Sequence, residues 1–503
     1  MWRHGLNNPK ISLVVLAGLL CLTLPARMLA ALTKPFWYDE LFTVYLAQLP
    51  TLKSIQSALA AHVDTLPLAY YVAERAAIAL PLDPHLGFRL PSILGYLAAI
   101  VGVYLFASRA FRPATGLAAA CVLALSPFRE YAIEARPYAL VVGCVAIAAF
   151  AWQRAEEKRM YAVLLAGSLT MAVAFHHYAV VVLACFGAGE LARLVKRRRW
   201  RWGVWTALGT ATLPFWAGFP ILLSYREVAG PHYWAKPGWA GVPSTYLLSG
   251  VSLAYWTALV SLAALATLQR WGRRKVEEPA DGLRGLSGPE GVLIWGLLLF
   301  PALLSAAAAV AGGGYFVRYG WPFIVGFALI CGLAMEFLAG TRRLAWVALA
   351  LCAALFIREA FEMATYQRAD VAGKATAPLG RLQAAETGLE AALPVAVANP
   401  MEHVPLAYYA RPEQRKQLVT LTDVEASVRY TGTDSIALTV LALERFVPLG
   451  VKNAGTFLAG HSSFYLWCPT GQPDWILSYL ADQGWSVKLT PARGAGLVYL
   501  IER

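Results

Sequence analysis

Charge is scarce in this sequence. Only 15% of its 503 residues are Asp, Glu, Lys or Arg, where a soluble globular chain carries about 25%. Cysteine is sparse too. The seven cysteines form no CxxC or Cys/His spacing, so a structural zinc site is not expected. Six of them lie inside apolar runs, where thiols pack as small hydrophobes. Cys468 stands alone in the C-terminal region, so no disulfide is expected there. A phosphate-cradling P-loop is missing, which argues against a nucleotide-driven pump. Internal repeats and low-complexity tracts are missing as well.

Apolar sequence is what the chain has in quantity. Hydrophobic residues make up 58% and mean hydropathy is +0.53. A membrane span needs about 20 predominantly apolar residues. About eleven such stretches precede residue 362, at 11–32, 88–108, 113–127, 135–153, 160–176, 178–195, 202–224, 246–268, 290–311, 318–338 and 343–361. The chain is expected to be a polytopic α-helical membrane protein with about eleven transmembrane helices. Arg3, Lys10 and the small residues of MLAAL also fit a secretory signal, but the first apolar run is long enough for an uncleaved helix.

Net charge is +13, which by itself would suit nucleic acid. Its placement does not. With the N-terminus in the cytoplasm, twenty basic residues fall on the cytoplasmic side, including the cluster KRRRWR at 196–201, and nine fall in the opposite loops up to Arg318. That asymmetry is the positive-inside pattern. It predicts no nucleic-acid partner, an N-terminus on the cytoplasmic side of the cell membrane and, with an odd number of spans, a C-terminus in the periplasm or outside.

Residues 33–87 form a long first external loop. Apolar residues recur at helical spacing in 40–60 and 66–80, with prolines between them, which predicts two or three interfacial helices. After residue 362 the spans stop. Strand-like runs at 394–398, 417–421, 456–460, 463–468 and 496–502 alternate with helical stretches at 435–446 and 474–483, predicting a small external α/β domain. The expected division is therefore 1–362, a transmembrane catalytic domain, and 363–503, the external α/β domain.

Polar residues of unusual kind gather on the outer side. The first loop holds Asp39 and Glu40 in FWYDEL, then His62 and Asp64. The loop SPFREYAIEARPYAL holds Glu134, Arg136 and Tyr138; FHHYA holds His176, His177 and Tyr178; GGGYFVRYGWP holds Arg318 and Tyr319. Ionisable groups at membrane depth are costly, so they default to functional candidates. Each also has a plainer account. Asp39 and Glu40 suit a helix N-terminus, Glu134 and Arg136 a surface ion pair, and Arg318 a snorkelling side chain. Adjacent histidines point in different directions on a helix, so only one of His176 and His177 faces any shared cavity.

The chemistry that uses such a set is group transfer from a phosphate. A carboxylate serves as general base towards an acceptor hydroxyl. Guanidinium groups stabilise charge developing on a phosphate leaving group and hold it in bidentate fashion. Asp39, His62, Asp64 and Glu134 are also ligand types for a divalent metal, and the sequence leaves metal dependence open. The outer face lacks nucleotide sugars, so the expected donor is a polyprenyl-phosphate-linked sugar drawn from among membrane lipids, with an envelope glycan, lipid or protein as acceptor.

FWYDELFT, HVDTLPLAYY, FRLPSILGYL, LSPFREYAIEARPYAL, FHHYA and FVRYGWPF, in this order, resemble the GT-C superfamily of integral-membrane glycosyltransferases. The resemblance is to the glycosyltransferase family 39-like proteins, related to protein O-mannosyltransferases and lipid A aminoarabinose transferases, and covers roughly residues 10–340. It implies that Asp39 is the essential carboxylate with Glu40 in support, and that Glu134 and Arg136 border donor phosphate and acceptor. The family's double proline stands here as Leu66–Pro67, and the lysine that precedes it in the aminoarabinose transferases is absent, which argues against aminoarabinose transfer to lipid A. Two other functions stay open on the sequence: a transporter or flippase of lipid-linked sugars, and a non-catalytic membrane scaffold.

Overall fold

A computed structural model describes residues 5–247, 286–367, 393–471, 475–490 and 496–503. The expected span at 246–268 and most of the linker 269–289 lie outside the described residues. The chain divides into two compact units, each built from segments distant in sequence. The first comprises residues 1–31, 80–219 and 236–368; the second comprises 32–79, 220–235 and 369–503.

The first unit is helical. Among the described residues of the whole chain, five helices are long and apolar enough to cross a membrane: Pro9–Thr33, Pro84–Ala110, His177–Arg197, Trp202–His232, whose part from Pro220 onward belongs to the second unit, and Arg343–Tyr366. Two bent pairs, Pro113–Leu125 with Pro127–Ile133 and Gly288–Leu298 with Phe300–Ala311, raise that number to at most seven. The expected count of eleven is not reached by length among the described residues. Tyr138–Arg154, Arg159–Phe175 and Phe323–Leu338 are apolar but short. Proline accounts for much of the shortening. Pro113, Pro127 and Pro301 stand in the first turn of new helical segments, where the missing N–H costs nothing and the preceding residue is pushed out of the helical region.

Backbones touch where side chains are small. A Cβ on Gly95 would fall 2.6 Å from the carbonyl of Ala139, and one on Gly102 would fall 2.8 Å from the Ala146 Cβ. Helices Pro84–Ala110 and Tyr138–Arg154 therefore pack as closely as small-residue seams allow. The helical segment Phe323–Gln367 also reverses direction. A straight helix would set Gly332 and Cys352 about 30 Å apart. Yet Gly332 abuts Ala119, and Cys352 Sγ lies 3.7 Å from that of Cys121, two residues further along.

One end of this unit holds a buried ionic network that hydropathy conceals. Arg27 donates to Glu359 at 3.0 Å and also pairs with Glu362. Glu362 in turn pairs with Arg129, and Arg358 reaches the carbonyl of Leu125 at 2.8 Å. Arg27 and Glu359 are fully buried. Removing one partner of such a set leaves an uncompensated charge, at about 3–5 kcal/mol. The network ties the first span and the last to the turn Pro127–Ile133.

The second unit contains a six-stranded sheet: β1 Val395–Val397, β2 Leu418–Thr422, β3 Val451–Asn453, β4 Ser463–Cys468, β5 Ser486–Leu489 and β6 Leu497–Glu502. Its order is β3-β2-β1-β4-β6-β5. The first four strands run parallel, and β6 and β5 pair antiparallel, with Ser463 opposite Glu502 and Cys468 opposite Leu497. Phe464, Trp467, Trp475 and Ile501 lie in its core. The run TFLAG is not a strand as expected. Asn453 accepts the Thr456 N–H at 3.1 Å and caps the helix Ala454–Gly460, so β3 ends three residues before the run begins.

The first external loop belongs to this second unit, not to the helical one. It forms three helices, Tyr38–Ala47, Leu52–Ala60 and Leu68–Ile78. Nine of the ten residues of the first are buried. The Phe36 N–H donates to the Tyr409 hydroxyl at 2.7 Å, and the Tyr408 ring meets Phe36 and Tyr45 edge-on. Arg75 donates to the carbonyls of Ala47 and Leu49, satisfying the C-terminal end of that helix.

Candidate active site

Within the helical unit, the candidate site forms where helices break. The Pro113–Leu125 helix ends at Ser126–Pro127, a 3-10 turn follows over Pro127–Ile133, and a new helix starts at Tyr138. Two side chains of FRLPSILGYL hold this passage. The Ser92 hydroxyl donates to the Arg136 carbonyl at 2.9 Å, and Tyr96 donates to the carbonyl of Ala124 at 2.8 Å. Phe128 is fully buried, 5.2 Å from Trp321, and Trp321 lies 5.0 Å from Tyr131. Tyr131 meets Tyr138 edge-on at 5.5 Å.

A second break sits beside the first. Helix Arg159–Phe175 stops at His176, whose Nδ1 accepts the N–H of Tyr178 at 3.2 Å. That bond leaves the imidazole proton on Nε2. The Tyr178 hydroxyl accepts the N–H of Gly314 at 3.0 Å, drawing in the glycine run. The turn Val317–Gly320 then presents Arg318 and Tyr319.

The result is a narrow pocket lined by Tyr138, His176, Tyr178, Arg318, Tyr319 and Trp321. His176 lies 5.8 Å from Tyr138 and 5.3 Å from Tyr319, ring centre to ring centre. The Arg318 guanidinium sits 4.8 Å from the Phe316 ring and 6.0 Å from that of Tyr138. Arg136 and Arg318 are both electrostatic neighbours of His176, and Glu134 is one of Tyr131. Arg136 is buried. Guanidinium groups among aromatic faces make a pocket suited to an oxyanion joined to a ring. His177 is turned elsewhere. It packs on Gly218, where a Cβ would collide with its ring.

The remaining candidates lie in the second unit. Asp39 and Glu40 occupy the first turn of helix Tyr38–Ala47. Glu40 is fully buried and accepts the Trp37 N–H at 3.2 Å in a capping box, so its geometry serves the helix start. Asp39 is half-buried. Asp39, Asp64 and Tyr225 all neighbour Tyr38 electrostatically, and burial pushes the Tyr38 hydroxyl well above its usual range. Asp64 accepts the N–H of Thr65 at 2.7 Å and the hydroxyl of Tyr71 at 2.8 Å.

His62 takes a left-handed backbone, φ +65°, where glycine is usual at the end of a helix. The His62 N–H reaches the Leu59 carbonyl and the Val63 N–H that of Ala58, a Schellman pair closing helix Leu52–Ala60. A histidine in that conformation costs about 1–2 kcal/mol. Its Nε2 meets Ser224 Oγ at 2.9 Å and its ring faces Tyr225; burial lowers its pKa.

Among the described residues no three His, Cys, Asp or Glu side chains gather as a metal site. Tyr131 stood out in the sequence as one of the polar residues of SPFREYAIEARPYAL, whereas Ser92, Trp321, Ser224 and Tyr225 did not. The signal for Ser92 and Trp321 was present as a hydroxyl and an aromatic residue beside prolines, Pro91 and Pro322. Ser224 and Tyr225 gave none, because their contact with His62 spans more than 160 positions.

Residues 65–222 match the family model for dolichyl-phosphate-mannose-protein mannosyltransferases. The fold is similar to that of ArnT from Cupriavidus metallidurans in the apo state, with 13% identity, a TM-score of 0.52, and coverage of 94% of this chain and 95% of that one. The same protein bound to undecaprenyl phosphate gives 13% identity and a TM-score of 0.51, covering 98% of both chains. No curated protein matches the chain in sequence. Over residues 65–222 the chain is thus similar to that mannosyltransferase family, and over nearly its whole length its fold is similar to that of ArnT.

Proposed function

We propose that this GT-C-related chain is an inverting glycosyltransferase. It moves a hexose or pentose from a polyprenyl-phosphate donor to an envelope glycan, lipid or protein acceptor at the outer face of the membrane. The observation that carries the reading is the pocket in which Arg318 and the neighbouring Arg136 stand among Tyr138, His176, Tyr178 and Tyr319.

In this reading Asp39 takes the proton from the acceptor hydroxyl. The acceptor oxygen attacks the anomeric carbon from the face opposite the phosphate, and the bond from that carbon to the phosphate oxygen breaks. The polyprenyl phosphate leaves with the electron pair, and its added charge is met by Arg136 and Arg318. His176, neutral with its proton on Nε2, donates a hydrogen bond to sugar or phosphate, and the tyrosines pack against the sugar ring. Asp64, His62, Glu134 and Tyr178 act as further substrate-contacting groups. The 363–503 region handles the acceptor.

The test is direct. Membranes holding the full chain are supplied with labelled polyprenyl-phosphate hexose or pentose and envelope acceptors, and label transfer with inverted anomeric configuration is the expected result. No transfer from any lipid-linked sugar, where a related enzyme works in parallel, rejects the reading. Chelation followed by addition of Mg2+, Mn2+ or Zn2+ in the same assay settles whether a metal takes part.

A further inference from the structure

The opposite end of the helical unit holds a larger and more polar cavity. Helix Tyr138–Arg154 carries the aromatic pocket at its first residue and this cavity at Gln153, about 23 Å further along. The segment His177–Arg197 likewise starts beside the pocket and ends with Arg193 and Arg197 in the cavity wall. The cavity has a volume of about 420 Å³, within the range of ligand sites. It lies at the end where Arg154, Lys158, Arg159 and the 196–201 cluster collect, the cytoplasmic end by the positive-inside pattern.

Its charges are almost all matched. Glu157 is held by Arg109 and by Arg154, and Glu156 by Arg197 at 2.7 Å. Glu290 accepts from the Gln153 amide at 2.9 Å and from the Ser287 N–H at 2.7 Å. Behind the wall, Arg201 forms a bidentate pair with Glu190, which also takes the Trp152 indole N–H at 3.0 Å. Arg193 is the remainder. It is only 6% exposed, lies 4.3 Å over the Trp152 ring, and among the described residues makes no hydrogen bond or ion pair through its guanidinium. Among the described residues the wall carries Arg109, Arg193 and Arg197 with Glu156, Glu157 and Glu290, and of these charges Arg193 alone lacks a hydrogen-bonded partner.

We propose that this cavity binds a phosphate-bearing anion, with the Arg193 guanidinium, fixed on Trp152, as its principal contact. A buried cation with five N–H groups and no acceptor is expensive unless an oxyanion completes it. Basic cavities between spans at this level of the membrane take lipid headgroups, and a soluble phosphate ester offers the same chemistry from the aqueous side. The site is distinct from the aromatic pocket and does not depend on its role.

Full-length protein in detergent is titrated with phosphatidylglycerol, and separately with inorganic phosphate, while thermal unfolding is followed; the midpoint shift gives apparent affinity. Arg193→Gln is expected to weaken that affinity roughly tenfold or more, since the lost hydrogen bonds are to a charged group. Arg193→Lys, which keeps the charge and the fold but not the planar fork, is expected to fall between the two. A shift with phosphatidylglycerol but not with phosphate identifies a lipid headgroup, and a shift with both identifies a general phosphate site. Equal shifts for wild type, Arg193→Gln and Arg193→Lys, or no shift with either probe, overturn the proposal. Should Arg193→Gln fail to fold, the wild-type and Arg193→Lys titrations decide alone.

Discussion

The Ser92 hydroxyl donates to the main-chain carbonyl of Arg136 across 2.9 Å of buried space. This one bond ties the RLPS stretch to the EARPYAL stretch and holds Arg136 just ahead of the helix that starts at Tyr138. Ser92→Ala leaves a buried carbonyl unsatisfied, which costs about 1–3 kcal/mol. The expected outcome is a lower thermal midpoint together with weaker donor use, while Ser92→Thr restores both in part. Thermal unfolding and donor KM measured on the same preparations check it.

The paired carboxylates of the first loop are expected to separate. Asp39→Asn removes the proposed base with little change of shape, so turnover should fall by about 10²–10⁴-fold with donor binding mostly kept. Glu40→Gln keeps a group able to close the capping box, so turnover should hold, whereas Glu40→Ala should lose about 1 kcal/mol of stability. Equal turnover losses in Asp39→Asn and Glu40→Gln would contradict this division.

Arg136 and Arg318 are expected to act on the donor, not the acceptor. Their replacement by Ala should raise donor KM, and replacement by Lys should recover part of the loss, because Lys keeps the charge without the bidentate fork. Acceptor KM is the internal control. A change confined to the acceptor, or none at all, returns both residues to an interfacial role.

The sheet region has a core of its own in Phe464, Trp467, Trp475 and Ile501, so a piece beginning near Gly380 is expected to fold. Its Tyr408 and Tyr409, which meet Phe36 and Tyr45 in the whole chain, would then be uncovered. The expected sign is strong binding of a hydrophobic dye by the piece, reduced by Tyr408→Ser with Tyr409→Ser. A piece lacking cooperative unfolding would show that the first loop is needed for its core.

His403 gives this region a pH dependence. It is fully buried, its Nε2 donates to the Leu449 carbonyl at 2.7 Å, and burial pushes its pKa down to about 4. An unfolded histidine titrates near 6.5. The unfolded state therefore binds the extra proton first on acidification, and stability present above pH 6.5 is lost as pH falls through that value towards 4. The loss is of order 3 kcal/mol. His403→Gln, which keeps an N–H for Leu449, should flatten the curve in urea unfolding between pH 7 and pH 4.

Much of the chain was legible in its sequence because hydropathy and helix or strand period are local properties. The apolar segments within the described residues, the first-loop helices, expected as two or three and found as three, and the β1, β2, β4 and β6 strands fall close to where periodicity puts them. Errors arose where one side chain overrides a window average. Asn453 caps a helix in a stretch that reads as strand, and prolines divide spans that read as continuous.

What only the tertiary structure decided is which distant segments share a unit and which charges meet. Residues 32–79 and 220–235 group with the C-terminal region, joined by contacts such as Tyr409 with Phe36 and Ser435 with the Trp234 N–H. Arg27 and Glu359 each look like an isolated blemish in an apolar run, yet they are 3.0 Å apart. His176 faces the pocket and His177 packs on Gly218 because helix Arg159–Phe175 ends just before them. The physical reason is the same in each case. A charge buried in an apolar segment is tolerable only with its partner, and the partner's identity depends on how the chain folds back, which no local pattern of residues encodes.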